Sequence, residues 1–268
     1  MKIALLGYGK MGKAIEEIAS QKGYNIVLKI HDQNLDELTK QNLQKADVAI
    51  EFTSPQSAAY NILLCFDAGV PVVCGTTGWL AQMDMIQQKC KELNGTFLYA
   101  SNFSIGVNIF FELNKKLAEL MKHQLNYNVS IEEIHHTEKK DAPSGTAITL
   151  AEEIIKTSQQ KNKWVLRQAQ DDIQAQDDIQ AQDDIQAQDD PSKSSGQAHR
   201  NNELIITSKR IDPAAGTHSV KYNSDVDDIE IIHTAHNRKG FAAGAVLAAE
   251  FIFGKKGIFS MKDVLDIT

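Results

Sequence analysis

The chain has 268 residues, 42% of them hydrophobic, and a formal charge of −7 at pH 7, enough for one large or two modest soluble domains with their own cores. The charge is local: residues 168–191 hold eight Asp and no Lys or Arg, so the remainder carries +1, and no basic stripe with interleaved aromatics points to nucleic acid. Cys65, Cys74 and Cys90 lack C-x-x-C spacing, which argues against a disulfide scaffold or thiolate zinc site and fits a reducing cytoplasm. The apolar runs Ile3–Leu6 and Phe241–Phe253 are too short for a signal peptide and a membrane span respectively, and Glu250 interrupts the second.

In chain order, Lys2–Leu6 is a buried-strand run that leads into Gly7-Tyr8-Gly9-Lys10-Met11-Gly12. Ala14, Ile15, Ile18 and Ala19 then recur at helical spacing. Strands are predicted at Asn25–Ile30, Asp47–Phe52, Val70–Cys74 and Thr96–Ala100, with helices at Ser57–Ala68 and Leu80–Leu93 between them. Such alternation predicts an α/β fold with a doubly wound parallel sheet. The pattern changes after Phe103. A long amphipathic helix at Ile105–Lys122, an alternating strand at Asn128–His135 and a helix at Ala147–Lys156 come next. Strand-like runs follow at Glu203–Ile211, His218–Ser224 and Asp227–Ala235. They predict a second, α+β domain with a mixed sheet, after which a helix at Ala242–Gly254 returns to the first domain. The segment from Gln168 is four copies of Q-A-Q-D-D-I with Pro191 ending the last. One Ile per copy buries little and paired Asp repel, so it reads as a disordered loop expansion.

The first glycine run has the context a dinucleotide fingerprint requires, following a strand and opening a helix. Gly7 permits the tight turn, Gly9 lets the backbone approach a pyrophosphate, and Gly12 lets helix pack on strand. Asp32, twenty residues after Gly12, accepts from ribose hydroxyls and repels a 2′-phosphate. It favours NADH over NADPH, although Lys29 and His31 pull the other way. Gly75-Thr76-Thr77 and Ala100-Ser101-Asn102-Phe103 follow two further strands, where their polar groups suit a nicotinamide carboxamide and ribose.

A second constellation spans Glu133–Ala147, E-I-H-H-T-E-K-K-D-A-P-S-G-T-A. His135 and His136 on one strand point to opposite faces and do not share a role. With no acidic or Cys ligand at suitable spacing, no metal is expected. Lys140 reads as solvated. Ser144 or Thr146 can cap the following helix, and the free N–H groups near Gly145 and Thr146 form an anion seat.

G-Y-G-K-M-G at the start, E-F-T-S-P at 51–55, G-T-T-G at 75–78, A-S-N-F-S at 100–104 and H-H-x-x-K-x-D-A-P-S-G-T-A at 135–147 together resemble the 4-hydroxy-tetrahydrodipicolinate reductase (dihydrodipicolinate reductase) family. The resemblance covers nearly the whole chain except the repeat. It implies a dinucleotide-binding domain at 1–103 and 235–268, and a substrate-binding, oligomerising domain at 104–234 that builds a homotetramer. It implies NADH or NADPH as hydride donor to a cyclic imine dicarboxylate in the diaminopimelate route to lysine, with closure about hinges near 103–105 and 234–237. By motif match, His135 is the general acid and Lys139 assists protonation and binding. His136 contacts one carboxylate, Gly145 and Thr146 seat the other, and Arg238 lies near the substrate. Gly7, Met11 and Gly12 match the dinucleotide turn; Gly75, Thr77, Ala100 and Phe103 match the nicotinamide side. The glycine loop is one residue shorter than in some members, which affects the register at Lys10-Met11, and the repeat is foreign to the family. Rival readings are another two-domain amino-acid dehydrogenase, for example acting on aspartate, and a non-enzymatic NAD-binding regulator. Deleting 168–190 is expected to leave turnover nearly unchanged; loss of folding or activity would show the repeat to be structural.

Overall fold

A computed structural model describes residues 1–168, 202–237 and 239–267. Most of the Q-A-Q-D-D-I repeat, and Arg238, lie outside the described residues. The chain divides into two compact units, residues 1–108 with 238–268, and residues 109–237. In the first, β1 (Lys2–Leu6), α1 (Lys10–Gln21), β2 (Asn25–Ile30), α2 (Lys40–Leu43), β3 (Val48–Glu51), α3 (Pro55–Ala68), β4 (Val72–Cys74), α4 (Met83–Glu92) and β5 (Thr96–Tyr99) alternate. Next come α5 (Ile105–Met121), β6 (Asn128–His135), α6 (Gly145–Thr157), β7 (Lys163–Gln168), β8 (Glu203–Arg210), β9 (Gly216–Asn223) and β10 (Asp228–Ala235). The chain then adds α7 (Lys239–Ile252), β11 (Gly257–Phe259) and α8 (Met261–Leu265) to the first unit.

The first sheet runs β11-β5-β4-β3-β1-β2 and every pairing is parallel. Its central strands are apolar on both faces because helices cover both. Ala4, Leu6, Ala49 and Val72 pack with Ile62, Cys65 and Phe66 of α3. The alternate residues Ile3, Leu5, Val48, Ile50 and Val73 pack with Ile15 and Ala19 of α1 and with Ala245, Val246 and Ala249 of α7. Pro55 starts α3 and Gly69 ends it in the left-handed conformation, φ 71°, the usual pairing of an N-terminal proline with a C-terminal glycine.

The second sheet is mixed, in the order β10-β9-β6-β8-β7. β9 is antiparallel to β6 and β10, while β8 is parallel to β6 and β7. Val129, Ile131, Leu204, Ile206, Val220 and Tyr222 form its covered face, packed on Leu150, Ala151 and Ile154 of α6 and Phe110 and Ala118 of α5. Buried Asn114 of α5 donates to the Leu150 carbonyl of α6 at 3.1 Å, which fixes how these helices lie together.

α2, β7, β11 and α8 are not expected from the pattern. Trp164-Val165-Leu166 is a short apolar run that abuts the low-complexity repeat, and β11 has three residues beginning with a glycine; neither is long enough to show alternation. The helix expected from Leu80 begins as a 3₁₀ turn at Leu80–Gln82 and becomes α-helical only at Met83. Among the described residues no helix is long and apolar enough to cross a membrane.

In the first unit, α7 lies so close to the A-S-N-F-S strand end that a Cβ on Gly244 would stand 1.8 Å from the Phe103 carbonyl oxygen. Gly244→Ala is therefore expected to destabilise the protein by about 1–3 kcal/mol, the range for overpacked cores. Urea denaturation measures this, and a midpoint equal to that of the parent would contradict the close packing.

Candidate active site

Parallel strands deliver their carboxyl ends to one edge of a sheet. In the first unit G-Y-G-K-M-G, His31-Asp32, E-F-T-S-P, G-T-T-G and A-S-N-F-S all leave from that edge. The strand order reverses between β1 and β3, and open α/β sheets bind ligands at such a switch point. Gly7 has φ 95°, and its N–H and that of Tyr8 donate to the Ile30 carbonyl at 3.0 and 2.8 Å. A Cβ there would meet the Phe52 carbonyl at 2.0 Å, and one on Gly12 the Gly7 carbonyl at 2.4 Å. At Gly9 a Cβ would meet nothing within 4 Å among the described residues. Among the described residues α1 opens without a side-chain cap, and it has no acid in its first turn, so its N-terminus can face a phosphate. The turn thus has the space, the donors and the polarity that a dinucleotide pyrophosphate needs.

Met11 is half-buried and Asp32 is exposed, two residues past β2. A Cβ on Gly75 would overlap the Phe52 ring at 2.2 Å. The Thr53 N–H donates to Thr76 Oγ1 at 2.8 Å, tying the E-F-T-S-P and G-T-T-G loops together. Thr77 is exposed; Ala100 and Phe103 are buried, and the Phe103 ring lies 5.7 Å from that of Phe52.

In the second unit, β6 alternates strictly. Val129, Ile131, Glu133 and His135 are buried, and His136, just past the strand, is half-buried in the opposite phase. Ser144, not Thr146, caps α6: its Oγ accepts the Ala147 N–H at 3.2 Å. Gly145 is exposed and Thr146 half-buried, and among the described residues their N–H groups meet no acceptor. Lys139 Nζ donates to both carboxylate oxygens of Asp141 at 2.8 Å, while Lys140 is exposed. The structure therefore gathers His135, Lys139, Gly145 and Thr146 at the carboxyl end of one strand and the start of one helix.

Residues 1–103 match the family described as dihydrodipicolinate reductase, N-terminus, and residues 106–265 the one described as dihydrodipicolinate reductase, C-terminus. The chain belongs to the dihydrodipicolinate reductase family. It is 46% identical to the 4-hydroxy-tetrahydrodipicolinate reductase of Christiangramia forsetii over 99% of this chain and 98% of that one. It is 34% identical to that of Methanosarcina barkeri over 88% and 78%. In fold it is similar to the dipicolinate-bound dihydrodipicolinate reductase of Paenisporosarcina, with a TM-score of 0.68 at 19% identity and 98% coverage of both chains.

Motif reading missed the residues that surround His135. Glu133 is fully buried. Its Oε1 accepts Ser208 Oγ at 2.7 Å and its Oε2 the Ser144 N–H at 3.0 Å. Ser144 Oγ shares a hydrogen bond with His218 Nε2 at 2.9 Å. Arg210 donates to the Lys139 and Asp141 carbonyls at 3.2 and 2.7 Å, pinning the K-K-D loop. Burial pushes the Glu133 carboxyl up, but its hydrogen bonds and nearby His135 outweigh this and hold it below the usual range. Burial draws the His135 imidazole pKa down, against the pull of Glu133. Asp141 is held below its usual range, burial being outweighed by Lys139. Linear spacing offers no metal-ligand set, yet the fold brings three candidate groups together. Ligand atoms of Glu133, His135 and His218 lie within 4.8 Å of one another, although Glu133 Oε2 and His218 Nε2 are already engaged by Ser144.

Burial draws the His218 imidazole pKa from 6.5 down to about 4. Unfolded, this group takes a proton as pH falls below its ordinary value; folded, it does so only near the lower one. Its contribution to stability is thus present above that window and lost as pH falls through it. The shift corresponds to about 3 kcal/mol. His218→Gln is expected to flatten the decline of urea-denaturation free energy across this pH range by an amount of that order. An unaltered slope would assign the acid sensitivity elsewhere.

Proposed function

We propose that the chain reduces 4-hydroxy-tetrahydrodipicolinate to tetrahydrodipicolinate with NAD(P)H, in the diaminopimelate route to lysine. The observation that carries this reading is a buried histidine beside the open N-terminus of α6, in a chain that matches the family across both units. The conversion consumes one hydride and one proton and releases the 4-hydroxyl as water. When bound, NAD(P)H would supply the hydride; Gly7, Gly9, Met11 and Gly12 would hold its pyrophosphate, and Gly75, Thr77, Ala100 and Phe103 its nicotinamide side.

His135 is the general acid. Substrate carboxylates oppose the desolvation that lowers its pKa, so the acid charges as the dianion arrives. The Gly145 and Thr146 N–H groups seat one carboxylate at the positive end of α6, and His136 contacts the other. Lys139 leaves Asp141 for the substrate and stabilises charge as it develops. Arg238 is assigned a carboxylate by motif match alone. The dipicolinate bound by the Paenisporosarcina relative is itself a ring with two carboxylates, which agrees with a two-carboxylate seat here. Exposed Asp32 disfavours a 2′-phosphate, so NADH is the preferred donor. The unit of residues 109–237 assembles a homotetramer in the cytoplasm; exposed Ile232 on the edge strand β10 gives it an apolar group to cover.

The test couples pyruvate and aspartate semialdehyde through the upstream synthase and follows oxidation of the nicotinamide. Substrate-dependent oxidation is expected, faster with NADH, and no reduction of NAD⁺ by aspartate; the reverse would favour an aspartate-type dehydrogenase. His135→Gln should lower kcat by about 10²-fold or more, and Lys139→Ala should impair both kcat and substrate affinity. A His135→Gln enzyme within about twofold of the parent would remove the acid from this scheme.

A further inference from the structure

We propose that Glu133 is a positioning residue for the reaction: its buried carboxylate is the counter-ion that orients His135 and locks it to the substrate-anion turn at the start of α6. The inference rests on the reading of His135 as the acid.

A carboxylate removed from water persists only when donors or cations replace the lost solvation. Glu133 has no solvent exposure, and its oxygens divide two tasks. Oε1 accepts Ser208 Oγ at 2.7 Å, with Arg210 Nη1 at 3.6 Å. Oε2 accepts the Ser144 N–H at 3.0 Å, with His135 Nδ1 at 3.6 Å and His218 Nε2 at 3.7 Å. Two hydrogen bonds are enough for a merely structural acid. The further observation is on the histidine: among the described residues His135 Nδ1 is buried and without a hydrogen-bond partner, and Glu133 Oε2 is the carboxylate oxygen within ion-pair distance of it. A separation of 3.6 Å exceeds a hydrogen bond, but catalytic pairs often tighten only when substrate is bound.

The ring has little freedom to turn elsewhere. A Cβ at Gly216 would stand 3.1 Å from His135 Nε2, so β9 presses its backbone against that side. The His218 ring meets the His135 ring edge-on at 5.1 Å. Held this way, Nδ1 faces the carboxylate, and the other nitrogen is the one left to serve the substrate. The same Oε2 fixes the Ser144 N–H, and Ser144 caps α6 just before the Gly145 and Thr146 N–H groups. One carboxylate oxygen therefore sets the acid and the anion seat in a single frame.

The charged and titratable groups acting on His135 are Glu133 on its own strand, Lys139 and Asp141 in the following loop, and Arg210 on β8. His218 on β9 also faces it, and His233 on β10 acts through His218. Lys139 and Arg210 oppose a proton on His135, and a proton on His135 in turn lowers the His218 pKa. Asp141 favours it but is engaged by Lys139, so Glu133 is the main partner that stabilises the imidazolium.

The experiment uses the full chain with Glu133→Gln, which preserves shape and removes the charge, and follows the His135 imidazole by NMR titration alongside the pH dependence of kcat. His135 should bind its proton about tenfold more weakly, one pKa unit. The alkaline fall in kcat, where the acid deprotonates, should begin correspondingly lower in pH. Glu133→Asp, which keeps the charge, should restore most of the parent titration and answers the question if the Gln variant folds poorly. Ser208→Ala removes a hydrogen bond from the same carboxylate without touching His135 and should leave the titration in place. An unmoved His135 titration in the charge-neutral variant, or an equal shift in Ser208→Ala, would overturn the proposal. Failure of the acid reading is a separate result: His135→Gln would then retain turnover, whatever the NMR titration shows for Glu133.

Discussion

A carboxylate sealed from water must be met by donors on every side, and each unit of this protein is organised around one. Glu51 ends β3 and Glu133 lies two residues from the end of β6, and both are fully buried. Glu51 accepts the Thr53 N–H at 3.1 Å and the Cys74 thiol at 3.0 Å, and also the Thr53 hydroxyl. Glu133 accepts from Ser144 and Ser208. Each acid thus fixes a loop at the carboxyl end of its strand, E-F-T-S-P with the neighbouring cysteine strand in one and the S-G-T turn in the other. Burying such a group is expensive unless it is satisfied; once satisfied, it specifies a geometry that apolar packing alone would leave loose.

The surroundings of the two acids differ in a way that suits their tasks. Around Glu133 stand His135, His218 and Arg210, groups that hold or move a proton. The hydrogen-bond partners of Glu51 are a hydroxyl, an amide and a thiol. The Cys74 thiol pKa is driven up by burial and then by the Glu51 charge, so the sulfur stays protonated and acts as a donor, not a nucleophile. The first network therefore shapes a binding edge, and the second both shapes its site and carries charge.

The sheet edges were legible in the sequence because they depend on local patterns. A strand before G-Y-G-K-M-G and the alternation of Val129, Ile131, Glu133 and His135 are readable over a few residues. The same alternation already put Glu133 and His135 on one face, a sign that an inward-facing acid sits beside the histidine. What it could not supply was the rest of the cage: Ser208, Arg210 and His218 lie more than seventy residues further on and come to Glu133 through the pairings of β8 and β9 with β6. The choice of Ser144 over Thr146 as the cap of α6 likewise turned on one hydrogen bond, since both residue types suit that position. β7 and β11 were missed because three or four apolar residues define no period, and only a neighbouring strand makes them part of a sheet.

β7 changes the meaning of the acidic repeat. Read as sequence, the repeat interrupts the passage from a helix to a strand. In the fold it lies between two strands that are adjacent and parallel, Lys163 pairing with Glu203 and Gln168 with Ser208. Parallel neighbours cannot be joined by a hairpin; the chain leaves β7 at its carboxyl end and must return to the amino end of β8, which takes a dozen residues or more. A long connection is thus imposed by the topology, whatever its sequence. Lengthening one that is already long costs only about 0.6 kcal/mol per doubling, whereas the same insertion in the β9–β10 turn would have to open an antiparallel register. The carboxyl end of β7 lies on the same sheet edge as His135, two strands away through β8. The repeat therefore begins beside the acid network without interrupting any residue that forms it.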